Sequence, residues 1–455
     1  MAFASLGLHP SLMQGIKDLG YTKPSPIQAE SIPHGMEGKD LLACASTGSG
    51  KTAAFLLPIM HQLLGKPRGV TRALILTPTR ELASQIVADF DNLGAHTGLS
   101  AAAVFGGVGP GPQEHAFRKG VDMIVACPGR LLDHCRMPYA KMAGLEFLVF
   151  DEADRMFDMG FLPDVRRLLN HLPKTKRQTL FFSATMPPPI AALTREVLKN
   201  PVQINVERTA APAVGITQAI YPVGQLLKAP LLLHLLQKGV MQEALVFTRT
   251  KHRADRVMKF LVQNKIPAER IHGNRSQAQR TEALAGFKSG KYQVLVATDI
   301  AARGIDVKEL GHVVNFDVPM VPEDYIHRVG RTARAAATGE AFTFVSPEES
   351  GDLRAIERAI KKQLPVVTLP DFDYNAKNTQ EVEVPLAERI AKIKAQKALE
   401  RERAREKAAK RAQAGAPRSE GSGGGVKRLG GGGGGTRTQG GGGGVRSTGG
   451  GGRGR

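Results

Sequence analysis

The sequence predicts an α/β chain of two tandem doubly wound parallel-sheet domains, followed by a disordered basic C-terminal tail. Three observations carry this reading. Short apolar, β-branched runs alternate with segments of helical spacing, that rhythm stops once and restarts, and the end of the chain abandons apolar periodicity. In the first half the runs are DLLACA (40–45), ALILT (73–77), MIVAC (123–127), LEFLVF (145–150) and TLFFS (179–183). Apolar runs this short and without polar alternation read as strands buried on both faces, as in parallel sheets. Helical spacing at Arg80–Leu93 and over 156–172 makes the alternation βαβ. The second half repeats it with ALVFT (244–248), QVLVA (293–297), HVVNF (312–316) and EAFTFV (340–345), separated by helical stretches at 252–264 and 279–288.

The interruption is ERTAAPAVGIT (207–217), which holds Pro212 and Gly215 and has no apolar period. The expected organisation is a first domain over 1–207, a linker over 208–216, a second domain over 217–367 and a tail over 368–455. Each domain is long enough to bury its own core. Within the tail, 386–413 is rich in Ala, Glu, Lys and Arg, and Glu388 and Lys392 have i,i+4 spacing, which suits a solvated helix with little face to bury. From Gly415 onward 21 of 41 residues are glycine, a composition that cannot offset chain entropy by burial.

Composition narrows the function classes. Three cysteines in 455 residues, Cys44, Cys127 and Cys135, cannot staple a small scaffold, and none sits in a C-x-x-C pair or at metal spacing to a histidine. The reduced cytosol is the expected compartment. The first residues lack a basic segment followed by an apolar one, and no window approaches the roughly 18 apolar residues of a membrane span, so a cytoplasmic protein with no membrane partner is expected. Residues 385–455 carry 17 Lys and Arg against 5 Asp and Glu, a balance of +12 that leaves +8 of the chain's +20 for residues 1–384. Clustered positive charge points to a polyanion, either nucleic acid or an anionic membrane surface.

The strongest local motif is ASTGSGKT, residues Ala45, Ser46, Thr47, Gly48, Ser49, Gly50, Lys51 and Thr52, between a strand and the apolar helical run AAFLLPIM. Small residues let backbone N–H groups wrap a phosphate, Lys51 meets the outer phosphates, and the Thr52 hydroxyl ligates Mg²⁺. The bland alternative is a Gly/Ser turn with an incidental lysine. The strand LEFLVF runs into Asp151-Glu152-Ala153-Asp154, at the strand end where α/β ligands bind. Alone, such a cluster is a helix N-cap with a solvated first turn. Beside a P-loop it reads as a Walker B motif, with Asp151 on Mg²⁺ and Glu152 orienting or deprotonating the attacking water.

With these motifs the chain resembles the DEAD-box RNA helicases over about residues 1–367, and further motifs follow in family order. GYTKPSPIQ (20–28), with Phe3 upstream, is similar to the adenine-reading Q motif. The resemblance implies that the Gln28 amide bonds the adenine edge while Phe3 and Tyr21 flank the ring. PTREL (with Pro78, Thr79 and Arg80), Gly106-Gly107 and CPGR (with Gly129 and Arg130) resemble the first domain's RNA motifs. Ser183-Ala184-Thr185 resembles the segment that couples hydrolysis to strand separation, and Asp154 is grouped with Ser183 and Thr185 as a coupling residue. In the second domain ALVFTRT, Gln277 with Arg280, ATDIAARGID with Thr298 and Asp306, and HRVGRTAR complete the series.

The resemblance also implies two RecA-like domains that close over ATP and Mg²⁺, with Asp306 reaching the ribose and Arg331 and Arg334 serving as arginine fingers. By the same likeness His327 links the last motif back to the acidic box, and Arg280 and Thr298 join the RNA contacts. RNA is gripped through sugar and phosphate with little sequence selectivity, so the expected activity is RNA-stimulated ATP hydrolysis with local unwinding of short duplexes or remodelling of ribonucleoproteins. An ATP-gated RNA clamp or annealing chaperone, and a DNA-directed motor, are the alternatives. Arg328, Arg331 and Arg334 also admit the bland reading of one solvated helical stripe. The tail reads as a nonspecific RNA tether or as a solubilising linker, with ribosomal or RNA-decay proteins as candidate partners, and the basic extension is most similar to the bacterial RhlE-type subgroup. Three positions depart from the common pattern: Ala45 opens the P-loop, Ala333 stands for glycine in the last motif, and Cys127 replaces a threonine, at the cost of one RNA phosphate contact.

Overall fold

The computed structural model describes residues 2–45, 48–173, 177–205, 216–302, 310–332 and 339–376. Of the sequence expectations, Ser46, Thr47, Asp306, Ala333, Arg334, the 208–215 part of the linker and the tail from 377 onward lie outside the described residues.

Strands β1 (Leu41–Cys44), β2 (Ala73–Leu76), β3 (Ala101–Val104), β4 (Met123–Ala126), β5 (Phe147–Phe150), β6 (Gln178–Ser183) and β7 (Val202–Asn205) form one sheet, ordered β3-β4-β2-β5-β6-β1-β7. Strands β8 (Ile216–Pro222), β9 (Ala244–Phe247), β10 (Ala268–Ile271), β11 (Val294–Ala297), β12 (His312–Asn315) and β13 (Gly339–Val345) form the second, ordered β10-β11-β9-β12-β13-β8. Every pairing in both sheets is parallel. Helices therefore cover both faces, and alternate residues of each central strand enter different cores. In β2, Ile75 joins the cluster containing Phe55, Phe90 and Leu180, while Leu74 and Leu76 join the one containing Leu148, Phe150 and Leu168. In β9, Val246 and Leu245 divide in the same way.

Two differences from the sequence reading have plain causes. The helical stretch expected over 156–172 is two helices, Ala153–Asp158 and Leu162–Leu169, because Gly160 turns left-handed (φ 76°) between them. The second core also runs past residue 367: Val367 N donates to Ile220 O (2.8 Å), and Leu369, Phe372 and Tyr374 pack against that core. Asp371 pairs there with Lys238 (2.8 Å) and His234 (3.3 Å). No helix among the described residues is long and apolar enough to cross a membrane.

Candidate functional site

The motif residues gather because their segments leave the carboxyl ends of adjacent parallel strands. Ala45 N donates to Ser183 O (3.2 Å), which starts the P-loop beside the end of β6. Gly48 is left-handed at φ 83° and Gly50 at φ 93°. A Cβ on Gly50 would also lie 2.5 Å from Gln28 Nε2 and 2.9 Å from Ser25 Oγ, so conformation and packing both demand glycine. The packing partner is the Q segment: Gln28 Nε2 donates to Gly50 O (3.1 Å), Gln28 Oε1 accepts from Ser25 N (2.9 Å), and Ser25 Oγ donates to Ser49 O (2.7 Å). Each atom of the Gln28 amide keeps one further hydrogen-bonding capacity for an incoming base. Phe3 is buried and stacks on the exposed Tyr21, centroids 6.3 Å apart, so the two rings lie against each other. Lys51 is the first residue of the helix Lys51–Leu63, with Nζ donating to Ala45 O (3.1 Å), and Thr52 follows it half-buried.

Asp151 N donates to Leu76 O (2.9 Å), fixing the exit from β5. The Asp151 side chain is buried, and its Oδ1 has no hydrogen-bond partner. Burial pushes its carboxyl up to about 7 against the pull of Lys51, with Glu152 adding to the rise. Glu152 is held left-handed (φ 54°, ψ 50°), which costs a non-glycine residue on the order of 1–2 kcal/mol. Asp154 locks the acidic box to the next strand end. Its Oδ2 accepts from Ala184 N (3.1 Å), Thr185 N (2.7 Å) and Thr185 Oγ1 (2.9 Å). Ser183 Oγ accepts from Asp154 N (3.2 Å) and donates to Thr185 O (2.7 Å). Four hydrogen bonds therefore tie the acidic box to the Ser-Ala-Thr segment.

The second sheet contributes His327, on the helix Pro322–Val329, and the buried Arg331 just beyond it. Burial pushes Glu152 up, but Arg155, Lys51 and Arg331 more than offset it, and the carboxyl sits below its usual range. Arg155 Nη1 donates to both Glu152 oxygens (2.8 and 3.0 Å), while its Nη2 donates to His327 Nδ1 (3.3 Å). Burial, with Arg155 beside it, pulls His327 down to about 3, so the ring is neutral and accepts at Nδ1. Arg328 bonds both oxygens of Asp299 (2.6 and 2.8 Å), Asn315 Oδ1 (3.1 Å) and Asp317 O (2.7 Å). Arg328 and Arg331 are both buried, so at these two positions the reading as a solvated face does not hold.

A second set of cations lies at the ends of β2 and β4. Pro78 and Thr79 are buried, and Thr79 Oγ1 caps the helix Arg80–Leu93 by accepting from Leu82 N (3.3 Å). Arg80 and Arg130 converge on Gly106 and Gly107: a Cβ on Gly107 (φ 82°) would collide with Arg80 Nη1, and one on Gly106 would lie 3.7 Å from Arg80 Nη2 and 4.0 Å from Arg130 Nη2. Two guanidinium groups against a bare glycine backbone suit a phosphate. Gly129, in the helix Pro128–Cys135, has only Asp164 Oδ2 near its Cβ position, at 3.9 Å. Arg280 is brought to the same face by Glu81, which binds Arg280 Nη2 (2.9 Å) and Gln277 Nε2 (3.1 Å). Burial, reinforced by Glu81, pushes the Cys127 thiol up to about 12, where it is inert. Thr298 is half-buried, and its carbonyl starts the short helix Asp299–Ala302.

The DEAD/DEAH box helicase family model matches residues 25–193, and the helicase conserved C-terminal domain model matches 227–336. The chain is 41% identical over 371 residues to the DEAD-box ATP-dependent RNA helicase CshA of Bacillus cereus, covering 82% of this chain and 70% of that protein. The chain belongs to the DEAD-box helicase family. RhpA of Helicobacter pylori, another DEAD-box ATP-dependent RNA helicase, is 38% identical over 374 residues, 82% of this chain and 75% of its own. S. cerevisiae Dbp5 bound to RNA and ADP BeF3 matches with a TM-score of 0.73 at 27% identity, over 80% of this chain and 95% of that one. Mss116p bound to ssRNA and AMP-PNP matches at 0.74 with 25% identity, over 82% and 80%.

The Mg²⁺ implied for a DEAD-box site fits the residues present. Asp151 Oδ1 is a buried acceptor without a partner, and Mg²⁺ needs only one or two protein oxygens when phosphate and water supply the rest. No cluster of three or more His, Cys, Asp or Glu placed to cage a metal occurs among the described residues. Three groups at this DEAD-box site escape the sequence reading: Arg155, the brace of Arg328 on Asp299, and Glu81. Only Arg155 leaves a local trace, its i,i+3 spacing from Glu152.

Proposed function

We propose that this DEAD-box protein is an ATP-dependent RNA helicase that hydrolyses ATP on RNA and locally opens short duplexes or remodels ribonucleoproteins. One observation carries the reading: Arg155 holds both oxygens of Glu152 and reaches His327 of the second domain, which brings the acid to the segment that carries the buried Arg331. P-loop amides and Lys51 take the phosphates, and Gln28 with Phe3 and Tyr21 takes the adenine. Thr52 and Asp151 would hold Mg²⁺, which when bound neutralises phosphate charge. Glu152 orients the attacking water, and Arg331, with Arg334, stabilises the charge that develops. RNA lies along Arg80, Arg130, Gly106, Gly107 and Arg280, with Pro78, Thr79, Gly129 and Thr298 at its edge, and each ligand favours closure and so the other's binding. Relatives named ATP-dependent RNA helicases, and RNA-bound neighbours in fold, support the reading. The test is the ATPase rate with RNA, DNA or neither, alongside separation of a short blunt duplex. RNA-specific stimulation with separation is expected, whereas stimulation without separation would make the protein a clamp and an equal response to DNA would make it a DNA motor.

A cytoplasmic location and membership of the RhlE-type subgroup are part of this proposal, the latter resting on the basic glycine-rich extension. That extension, 385–455, acts as an RNA tether: its balance is +12, and the chain has no aromatic residue after Tyr374 for bases to stack on. Electrostatic binding to single strands gives a slope of log affinity against log salt near −0.7 per neutralised phosphate. Truncation after Val384 is therefore expected to flatten that slope and raise the RNA needed for half-maximal ATPase, with RNA-free hydrolysis retained. An unchanged slope would reduce the tail to a linker.

A further inference from the structure

Resting on the reading of Glu152 as the group that orients water, we propose that Arg155 is a positioning residue through which the second domain sets the orientation of that carboxylate. Arg155 is 1% exposed, among the largest fully buried side chains of the described residues. A buried guanidinium is tolerated only when it finds acceptors, and here Nη1 and Nη2 find them in two domains. Nη1 is spent on both oxygens of Glu152 in the first domain, and Nη2 on His327 Nδ1 of the second. The rigid guanidinium plane makes the two contacts one object: fixing Nη2 on the imidazole fixes the direction from which Nη1 holds the carboxylate.

The local backbone suits this task. Glu152 is the strained left-handed residue before the six-residue helix Ala153–Asp158, which carries Arg155 and is followed closely by left-handed Gly160. This segment is pinned by its side chains, and neighbouring residues are pinned to different partners: Asp154 to Ala184 and Thr185 of its own domain, Arg155 to His327 of the other. With His327 engaged, the Glu152 carboxylate has one orientation. With His327 withdrawn, one arm of the guanidinium loses its acceptor and the carboxylate can pivot. The position of the second domain is thus read at the acid through the Arg155 side chain.

The test uses the full chain with Arg155→Lys and Arg155→Gln, each alone and combined with His327→Ala. A lysine reaches Glu152 or His327, but not both. The expected result is a loss of RNA-stimulated kcat of about tenfold or more, within the range usual for coupling between sites, with the KM for ATP changed by less than about threefold. Because the two residues act through one contact, each double variant should be no slower than its slower single variant. Stimulated kcat within twofold of wild type, additive losses, or basal and stimulated rates falling alike with the melting temperature would overturn the proposal, as would failure of both Arg155 variants to fold. A wild-type protein whose ATPase ignores RNA would instead overturn the helicase reading and leave the Arg155 contact to be judged on basal turnover.

Discussion

Glu152→Gln is expected to reduce RNA-stimulated ATP turnover by about 10²–10⁴-fold while ATP still binds, so that the variant accumulates as an RNA complex. The glutamate sits between Arg155, Lys51 and Arg331, which keep it ionised despite its burial. An amide has the same shape and still accepts from Arg155, so the strained backbone at Glu152 and the neighbouring helix are kept. What disappears is the negative charge that orients water and can accept its proton. The surplus positive charge left behind favours the phosphates of bound ATP, so affinity holds or rises as turnover falls. Single-turnover hydrolysis and equilibrium ATP binding on one preparation separate the two effects. Turnover near the wild-type rate would remove Glu152 from its assigned role, and loss of ATP binding in a folded variant would show that the carboxylate supports the pocket instead.

The parts of this site legible in the sequence are those where one short segment carries both fold and chemistry. LEFLVF is buried over its strand and runs straight into Asp151-Glu152-Ala153-Asp154, so strand and acidic box are visible together. The P-loop is legible for the same reason, its glycines being demanded by backbone conformation and by the neighbouring Gln28. Strands without an apolar run escape the pattern. β3 is Ala-Ala-Ala-Val and half-buried over most of its length, β7 is a partly exposed edge, and β10 places Glu269 and Arg270 at its centre. Such strands form because a neighbouring strand offers a ladder, which is long-range information.

The same limit applies to chemistry. Asp154 and the Ser-Ala-Thr segment are each visible as short motifs, but the three contacts from Ala184 and Thr185 to Asp154 become visible only in the fold. Arg155 pairs with a histidine 172 residues away, and Glu81 with Arg280 in the other domain, so no spacing rule links them. A buried arginine is the general sign of such a partner, but burial is a tertiary property. Residue type alone places Arg155 as a solvated residue of a short helix, and its 1% exposure overturns that. Of the residues that couple the two domains, His327 is visible only through the family likeness, while Arg155 and Glu81 carry no motif signal for their partners, which exist only once both sheets have formed.

Arg331→Ala should have the largest effect on rate of any second-domain change among the described residues. An arginine supplied to a developing phosphoryl charge is worth about 10³–10⁵ in kcat, and the buried Arg331 already helps to hold Glu152 ionised across the domain boundary. The loss should fall on kcat, with the KM for ATP changed by less than about tenfold, because the P-loop, Lys51 and Gln28 all belong to the first domain. Arg331→Lys separates charge from geometry. A lysine keeps the positive charge but not the planar fork, so turnover between the alanine variant and wild type is expected. Arg328→Ala is the structural control: Arg328 braces Asp299, Asn315 and Asp317 within its own domain, and its loss should lower the melting temperature more than that of Arg331. If Arg331→Ala retained RNA-stimulated turnover within about tenfold of wild type, or lost stability and activity in the same proportion as Arg328→Ala, the finger would have to be sought elsewhere, with Arg334 the next residue to change.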